Sequence, residues 1–188
     1  EATPPPRAAL LPHIWLSDEE IRQGQRLLEQ LPDKAGTPPI ALHPYATHPD
    51  KAWKEAYWRQ LMELFESRGI PWIVIGRGSG MEGIPASRNF TNRTSLRETC
   101  ALLKSSSLLI TGDSGPMHLA GAVGTPVLAL FGPTTEEWGF FPAGPKDRVL
   151  ESQLDCRPCT LHGKKHCDRN HACMQSITPE QVMRALDE

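Results

Sequence analysis

No stretch of this 188-residue sequence is apolar for long enough to cross a bilayer. Its longest apolar runs, such as Pro126 to Phe131, fall far short of the ~20 residues that a spanning helix needs. Charge of one sign is also lacking: 20 basic and 22 acidic residues leave a formal net charge of -2, with no basic block. That balance gives no reason to expect nucleic acid or a membrane surface as a partner, and it favours a small molecule. No unit recurs at a period of about 20 to 50 residues, which argues against a solenoid. A G-x-G-x-x-G opening a helix after a strand is absent as well. Gly76-x-Gly78 is followed by Gly80 and Gly83, the wrong spacing for a dehydrogenase fingerprint. Glu1 opens neither a signal peptide nor a transit peptide, so the chain reads as soluble. The stiff Ala2-Thr3-Pro4-Pro5-Pro6 composition suits a tether, and residues 1–16 read as an interdomain linker with something before it.

What is present alternates between strand and helix. Ser17-Asp18-Glu19-Glu20 is a capping box, predicting a helix to about Leu31, and Ser95-Leu96-Arg97-Glu98 is a second one, predicting a helix to about Lys104. Lys54 to Arg68 carries Tyr57, Trp58, Leu61, Leu64 and Phe65 at helical spacing, and Gly69 ends it. Short apolar runs at Pro38–Leu42, Pro71–Ile75, Ser107–Thr111 and Pro126–Phe131 fit buried strands, and Thr178-Pro179 with Gln181 opens a last helix. Strands alternating with helices across short connections imply an α/β, Rossmann-like parallel sheet with helices on both faces. Ligands of such sheets bind beyond the carboxyl ends of the strands. The expected organisation is a domain over 17–150, followed by a cysteine-rich segment and C-terminal helix over 151–188.

The sharpest segment runs from Thr111 to Ala122, where small residues Gly112, Ser114 and Gly115 turn a strand into a helix. First-turn amides of such a helix have no intrahelical partner, and an anion there gains roughly 0.3 to 2 kcal/mol from the helix dipole. Phosphate fits. Equally, Asp113 or Ser114 could simply cap the helix while Met117, Leu119 and Ala122 pack inside. His118, in the first turn, could face a phosphate or a local carbonyl. On the loop after the first strand, Lys51 could neutralise a diphosphate and Thr47 could donate a hydrogen bond to it.

Several motifs recur in order: His43-Pro44 with Thr47 and Lys51 before Trp53; Thr94-Ser95-Leu96; Gly112-Asp113-Ser114-Gly115-Pro116-Met117-His118-Leu119-Ala120; Gly124-Thr125-Pro126; and Phe131-Gly132-Pro133-Thr134. From about Leu10 onward the sequence resembles the carboxyl-terminal domain of the family of lipopolysaccharide heptosyltransferases, glycosyltransferase family 9. That resemblance implies the nucleotide-sugar-binding half of a two-domain inverting glycosyltransferase working without a catalytic metal, with ADP-heptose as donor. The acceptor, a lipid-linked saccharide or another glycosyl acceptor, and the catalytic carboxylate would belong to the other, amino-terminal half, so no catalytic residue is expected here and the chain alone would be inactive. The place of action would be the cytoplasm, at the inner face of the inner membrane. The resemblance assigns donor phosphate contacts to Thr47, Lys51, Ser114, Gly115, Pro116, Met117 and His118. Gly76, Glu82 and Asp113 are further nucleotide candidates, Asp113 with a structural role favoured. Tyr45 departs from the family pattern, where glycine often follows His-Pro, and Glu82 is poorly aligned in its glycine-rich loop.

Cys156-x2-Cys159-x7-Cys167-x5-Cys173, interleaved with His162, His166 and His171, has enough thiolates for a structural zinc, while reduced unpaired thiols are the plain alternative. Similar tails in the resembling family add iron as a candidate. Cys100 reads as a small core residue. Two other functions fit the same sequence: another nucleotide-sugar transferase or epimerase preferring UDP or GDP, and an interaction module using the cysteine knuckle.

Overall fold

The computed structural model describes residues 11–32, 36–161 and 167–187; the tether Ala2–Pro6, His162 and His166 lie outside them. The elements follow in the order α1 (Asp18–Leu28), β1 (Ile40–His43), α2 (Glu55–Arg68), β2 (Trp72–Val74), α3 (Leu96–Lys104), β3 (Leu108–Gly112), α4 (Gly115–Val123), β4 (Val127–Phe131), β5 (Arg148–Glu151), α5 (Ala172–Gln175) and α6 (Pro179–Asp187). Both capping boxes form: the hydroxyls of Ser17 and Ser95 accept from the amides of Glu20 and Glu98, whose carboxylates accept in return. Gly69 ends α2 in the left-handed conformation, φ 65°.

The five strands are parallel in the order β2-β1-β3-β4-β5. Side chains alternate across the sheet, so each strand feeds two cores. Leu42, Val74, Ile110 and Leu128 face Trp58, Leu61 and Phe65 of α2 and Val182 and Met183 of α6. Ala41, Ile73, Leu109 and Val127 face Cys100, Leu102 and Leu103 of α3 and Met117, Ala120 and Val123 of α4. Burial on both faces is why these strands read as continuous apolar runs. Cys100 is such a core residue.

Two features differ from the sequence reading. Helix α1 stops at Leu28 instead of about Leu31, and β5 and the single turn α5 had no sequence signal. Strand β5 is a half-exposed edge with charged ends, so it lacks both the alternation and the apolar run that would reveal it. No helix forms between β2 and α3. There the chain folds back so that Val74 bonds both the Arg88 carbonyl and the Phe90 amide, covering the sheet edge.

Candidate functional site

The strand order places its reversal between β1 and β3, because the chain leaves β1 towards β2 on one side and returns to β3 on the other. Crevices at such switch points, outside the carboxyl ends of the strands, are where open parallel sheets bind ligands. A crevice of about 620 Å³ opens there, lined by His43 at the end of β1, Tyr45 and Thr47 after it, Gly76 and Arg77 after β2, Thr94 and Leu96 at the start of α3, and Ser114 to Pro116 at the start of α4. Its volume suits a nucleotide-sized ligand. A cavity of similar size, about 650 Å³, lies among Pro38, Pro71 and Ser106 at the amino ends of the strands, the opposite rim, where no helix amino terminus among the described residues lines it.

The parallel register sets His43 beside Thr111. His43 Nδ1 lies 3.0 Å from the Thr111 hydroxyl and 3.2 Å from that of Ser114, and the two hydroxyls are 2.9 Å apart. Ser114 is the N-cap residue of α4, yet its hydroxyl makes no capping bond; it turns back to donate to the Gly112 carbonyl at 3.2 Å. The amino terminus of α4 is therefore left without a side-chain cap on the crevice; Pro116 has no amide hydrogen and the Met117 amide donates to the Ser114 carbonyl at 3.1 Å, which leaves the Gly115 amide as the open donor of its first three residues.

Burial lowers the His43 pKa from 6.5 to about 4. The folded chain thus refuses a proton that the unfolded chain accepts between those two values. Stability is full above about pH 6.5 and falls as the pH drops towards 4, by about 3 kcal/mol in all. Urea unfolding of the wild type and of His43→Gln between about pH 6.5 and 5 should show a shallower pH slope in the variant. Equal slopes would assign the loss to other groups.

The glycine-rich loop after β2 is held, not loose. Tyr45 lies on it so closely that a Cβ on Gly78 would sit 2.3 Å from the ring, and its hydroxyl is 2.7 Å from that of Thr91. Asn92 grips Gly78 from both ends, accepting from its amide at 3.2 Å and donating to its carbonyl at 2.8 Å.

Residues 12–168 match the family model described as glycosyltransferase family 9 (heptosyltransferase). The chain belongs to that family. Lipopolysaccharide heptosyltransferase 1 of Pseudomonas aeruginosa is 35% identical over 153 residues, which span 74% of this chain and 40% of that protein. Among solved structures, ADP-heptose lipopolysaccharide heptosyltransferase II of Escherichia coli superposes with a TM-score of 0.70 at 24% identity, over 98% of this chain and 54% of that one. The iron-containing dodecameric heptosyltransferase TibC of enterotoxigenic E. coli, solved with ADP-D-beta-D-heptose, gives 0.65 at 23% identity, over 84% and 46%. The chain thus spans about half the length of these relatives.

Within this family 9 domain, the expected phosphate contacts divide. Thr47, Ser114, Gly115 and Pro116 line the crevice, as does Gly76. Lys51 does not line it: its Nζ donates to Asp113 Oδ2 at 2.6 Å, with the two side chains only 14% and 11% exposed. Met117 is buried in the core and His118 is exposed outside the crevice lining. Glu82 is exposed and also outside it, its carbonyl accepting from Arg59 at 3.0 Å. Arg77, Tyr45 and Leu96 line the crevice without having been singled out as site residues. For Arg77 the available signal was a charged residue between glycines at a strand's carboxyl end.

The four tail cysteines of the domain line one cavity of about 240 Å³, together with Asp50 and His171. No disulfide joins them. Burial, then the neighbouring Cys159 and Cys167, push the Cys173 pKa up. A tetrahedral metal needs its sulfurs about 2.3 Å from a common point, and sharing a cavity wall does not meet that demand. Among the described residues no group of three or more His, Cys, Asp or Glu could hold a metal ion, so the structural zinc or iron expected at Cys156, Cys159, Cys167 and Cys173 is unsupported. His171 instead pairs with Asp50 at 2.8 Å. Among the described residues no helix is long and apolar enough to cross a membrane.

Proposed function

We propose that this chain is the donor-binding half of an inverting heptosyltransferase that takes ADP-heptose and extends the inner core of lipopolysaccharide on the cytoplasmic side of the inner membrane. The observation that carries this reading is the uncapped amino terminus of α4 in the switch-point crevice of a family 9 domain. Glycosyl transfer breaks the bond between the anomeric carbon and the diphosphate, so negative charge grows on the leaving group. Amides fixed before the reaction stabilise that charge without reorganising. The Thr47 hydroxyl, on the same crevice, adds a donor. The acceptor and the base that activates it belong, on this reading, to the other half of the two-domain architecture, so this chain alone binds nucleotide without turnover and needs no catalytic metal.

Calorimetric titration with ADP, UDP and GDP at fixed salt tests the reading. Preferential ADP binding is expected. A preference for UDP or GDP would reassign the donor to another nucleotide-sugar enzyme, and no binding by any of the three would mean either that the other half completes the site or that the chain is an interaction module.

A further inference from the structure

His43 ends β1, which lies between β2 and β3 in the sheet, and its ring joins the two walls of the crevice. On one side Nδ1 meets the hydroxyls of Thr111 and Ser114 at 3.0 and 3.2 Å. On the other, Nε2 lies against Gly76, where a Cβ would come within 2.9 Å of it, and the Tyr45 ring closes edge-to-face at 5.7 Å. The imidazole is thus held on three sides and only 6% exposed. Nε2 nonetheless has no hydrogen-bond partner among the described residues, and the crevice is the space that the ring still borders. A polar nitrogen so nearly buried is costly to leave unpaired, which points to a ligand as its partner.

The protons of the cluster set what that nitrogen offers. Thr111 and Ser114 carry one hydroxyl proton each, and two acceptors stand beside them: Nδ1 and the Gly112 carbonyl, 3.1 and 3.2 Å from the two hydroxyls. Thr111 donating to Nδ1 and Ser114 donating to the carbonyl uses both protons and makes Nδ1 an acceptor. Burial keeps the ring neutral near neutral pH, so its single proton then sits on Nε2, at the crevice. An anion in the crevice selects this arrangement, since the other tautomer would aim a lone pair at it.

We propose that His43 is a phosphate-binding residue of the donor site, donating from Nε2 to a phosphate oxygen of the nucleotide alongside the open Gly115 amide. The inference rests on the donor-site reading above and deepens it. The contact adds to the part played by the loop after β1 and replaces none of it. Because the ring is already fixed in the unliganded chain, little order is lost when it engages.

The test is titration of the chain, of His43→Asn and of His43→Gln with ADP, inorganic pyrophosphate and adenosine. The asparagine amide ends where Nδ1 stands, keeping a partner for Thr111 and leaving nothing at Nε2; the glutamine amide reaches the Nε2 position. His43→Asn should weaken ADP and pyrophosphate binding by about 10-fold or more, the size of a lost hydrogen bond to a charged group, while adenosine affinity stays unchanged. His43→Gln should fall between. Both variants alter a buried cluster, so a second measurement uses the unsubstituted chain: the nitrogen NMR shift of His43 Nε2 should move with ADP and stay in place with adenosine. Wild-type ADP affinity in His43→Asn overturns the proposal alone, as does an equal loss for adenosine or an Nε2 signal that bound ADP leaves in place. If the unsubstituted chain binds none of the three, the assignment of a phosphate site to the chain by itself falls, and this proposal with it.

Discussion

Replacing Trp53 by alanine should be one of the two most destabilising single changes in the loop after β1. Trp53 is 4% exposed, donates from Nε1 to the Ile177 carbonyl at 2.8 Å, and meets Tyr57 and Trp58 edge-to-face at 5.5 and 4.9 Å. Truncating a buried tryptophan costs about 3–5 kcal/mol through lost burial and the cavity left behind. Here it also strands a buried carbonyl. Against a total stability of about 5–15 kcal/mol, this is a large fraction. At roughly 2–4 °C per kcal/mol for a chain of this size, the melting temperature should fall by about 10 °C. Trp53→Phe keeps a ring and loses the hydrogen bond, so it should fall by far less. A Trp53→Ala variant melting within about 2 °C of the wild type would refute the role of this residue as the pin between the loop and the tail.

The second large effect concerns Lys51 and Asp113. A nearly buried pair at 2.6 Å leaves an uncompensated charge when one member is removed, and such changes cost about 3–5 kcal/mol. Lys51→Met and Asp113→Asn should each lower the urea midpoint substantially. The double variant, with neither charge, should recover most of the loss, because the desolvation penalty disappears along with the attraction. If Lys51→Met alone leaves the midpoint unchanged, the pair contributes nothing to the fold and the lysine is free to serve a ligand. The distinction governs how binding data are read: a weak ADP titration for Lys51→Ala would report damage to the loop as well as any lost contact.

Much of the fold was legible because its signals are local. Ser17 with Glu20 and Ser95 with Glu98 announce helix starts in four residues, and both form as read. The apolar runs at β1 to β4 were visible because strands covered on both faces have no polar positions to interrupt them. The strand-to-helix turn at Gly112–Gly115 was likewise visible, since a strand and a helix joined by small residues leave few alternatives, and Ser114 and Gly115 of it line the crevice. What escaped depends on partners distant in sequence. That Lys51 pairs with Asp113 is set across 62 residues. Arg157 carried no local signal, yet its guanidinium donates to the carbonyls of Gly132, Ser152 and Thr134 and pairs with Glu151, stapling the tail to the end of β4. The cysteine spacing invited a metal because spacing says nothing about where sulfurs converge.

The end of the loop after β1 and the start of α2 are gripped by the tail: Asp50 by His171, Trp53 by the Ile177 carbonyl, Lys54 and Tyr57 by Gln175. Gly132, at the end of β4, lets the same tail approach closely, since a Cβ there would lie 2.4 Å from Met174 Sδ. Lys51 lies between two of these anchors, so the loop that carries it and Thr47 is tied to residues 171–177. Energetic coupling runs equally in both directions. Occupying the crevice should therefore slow amide exchange in a segment that lines none of it.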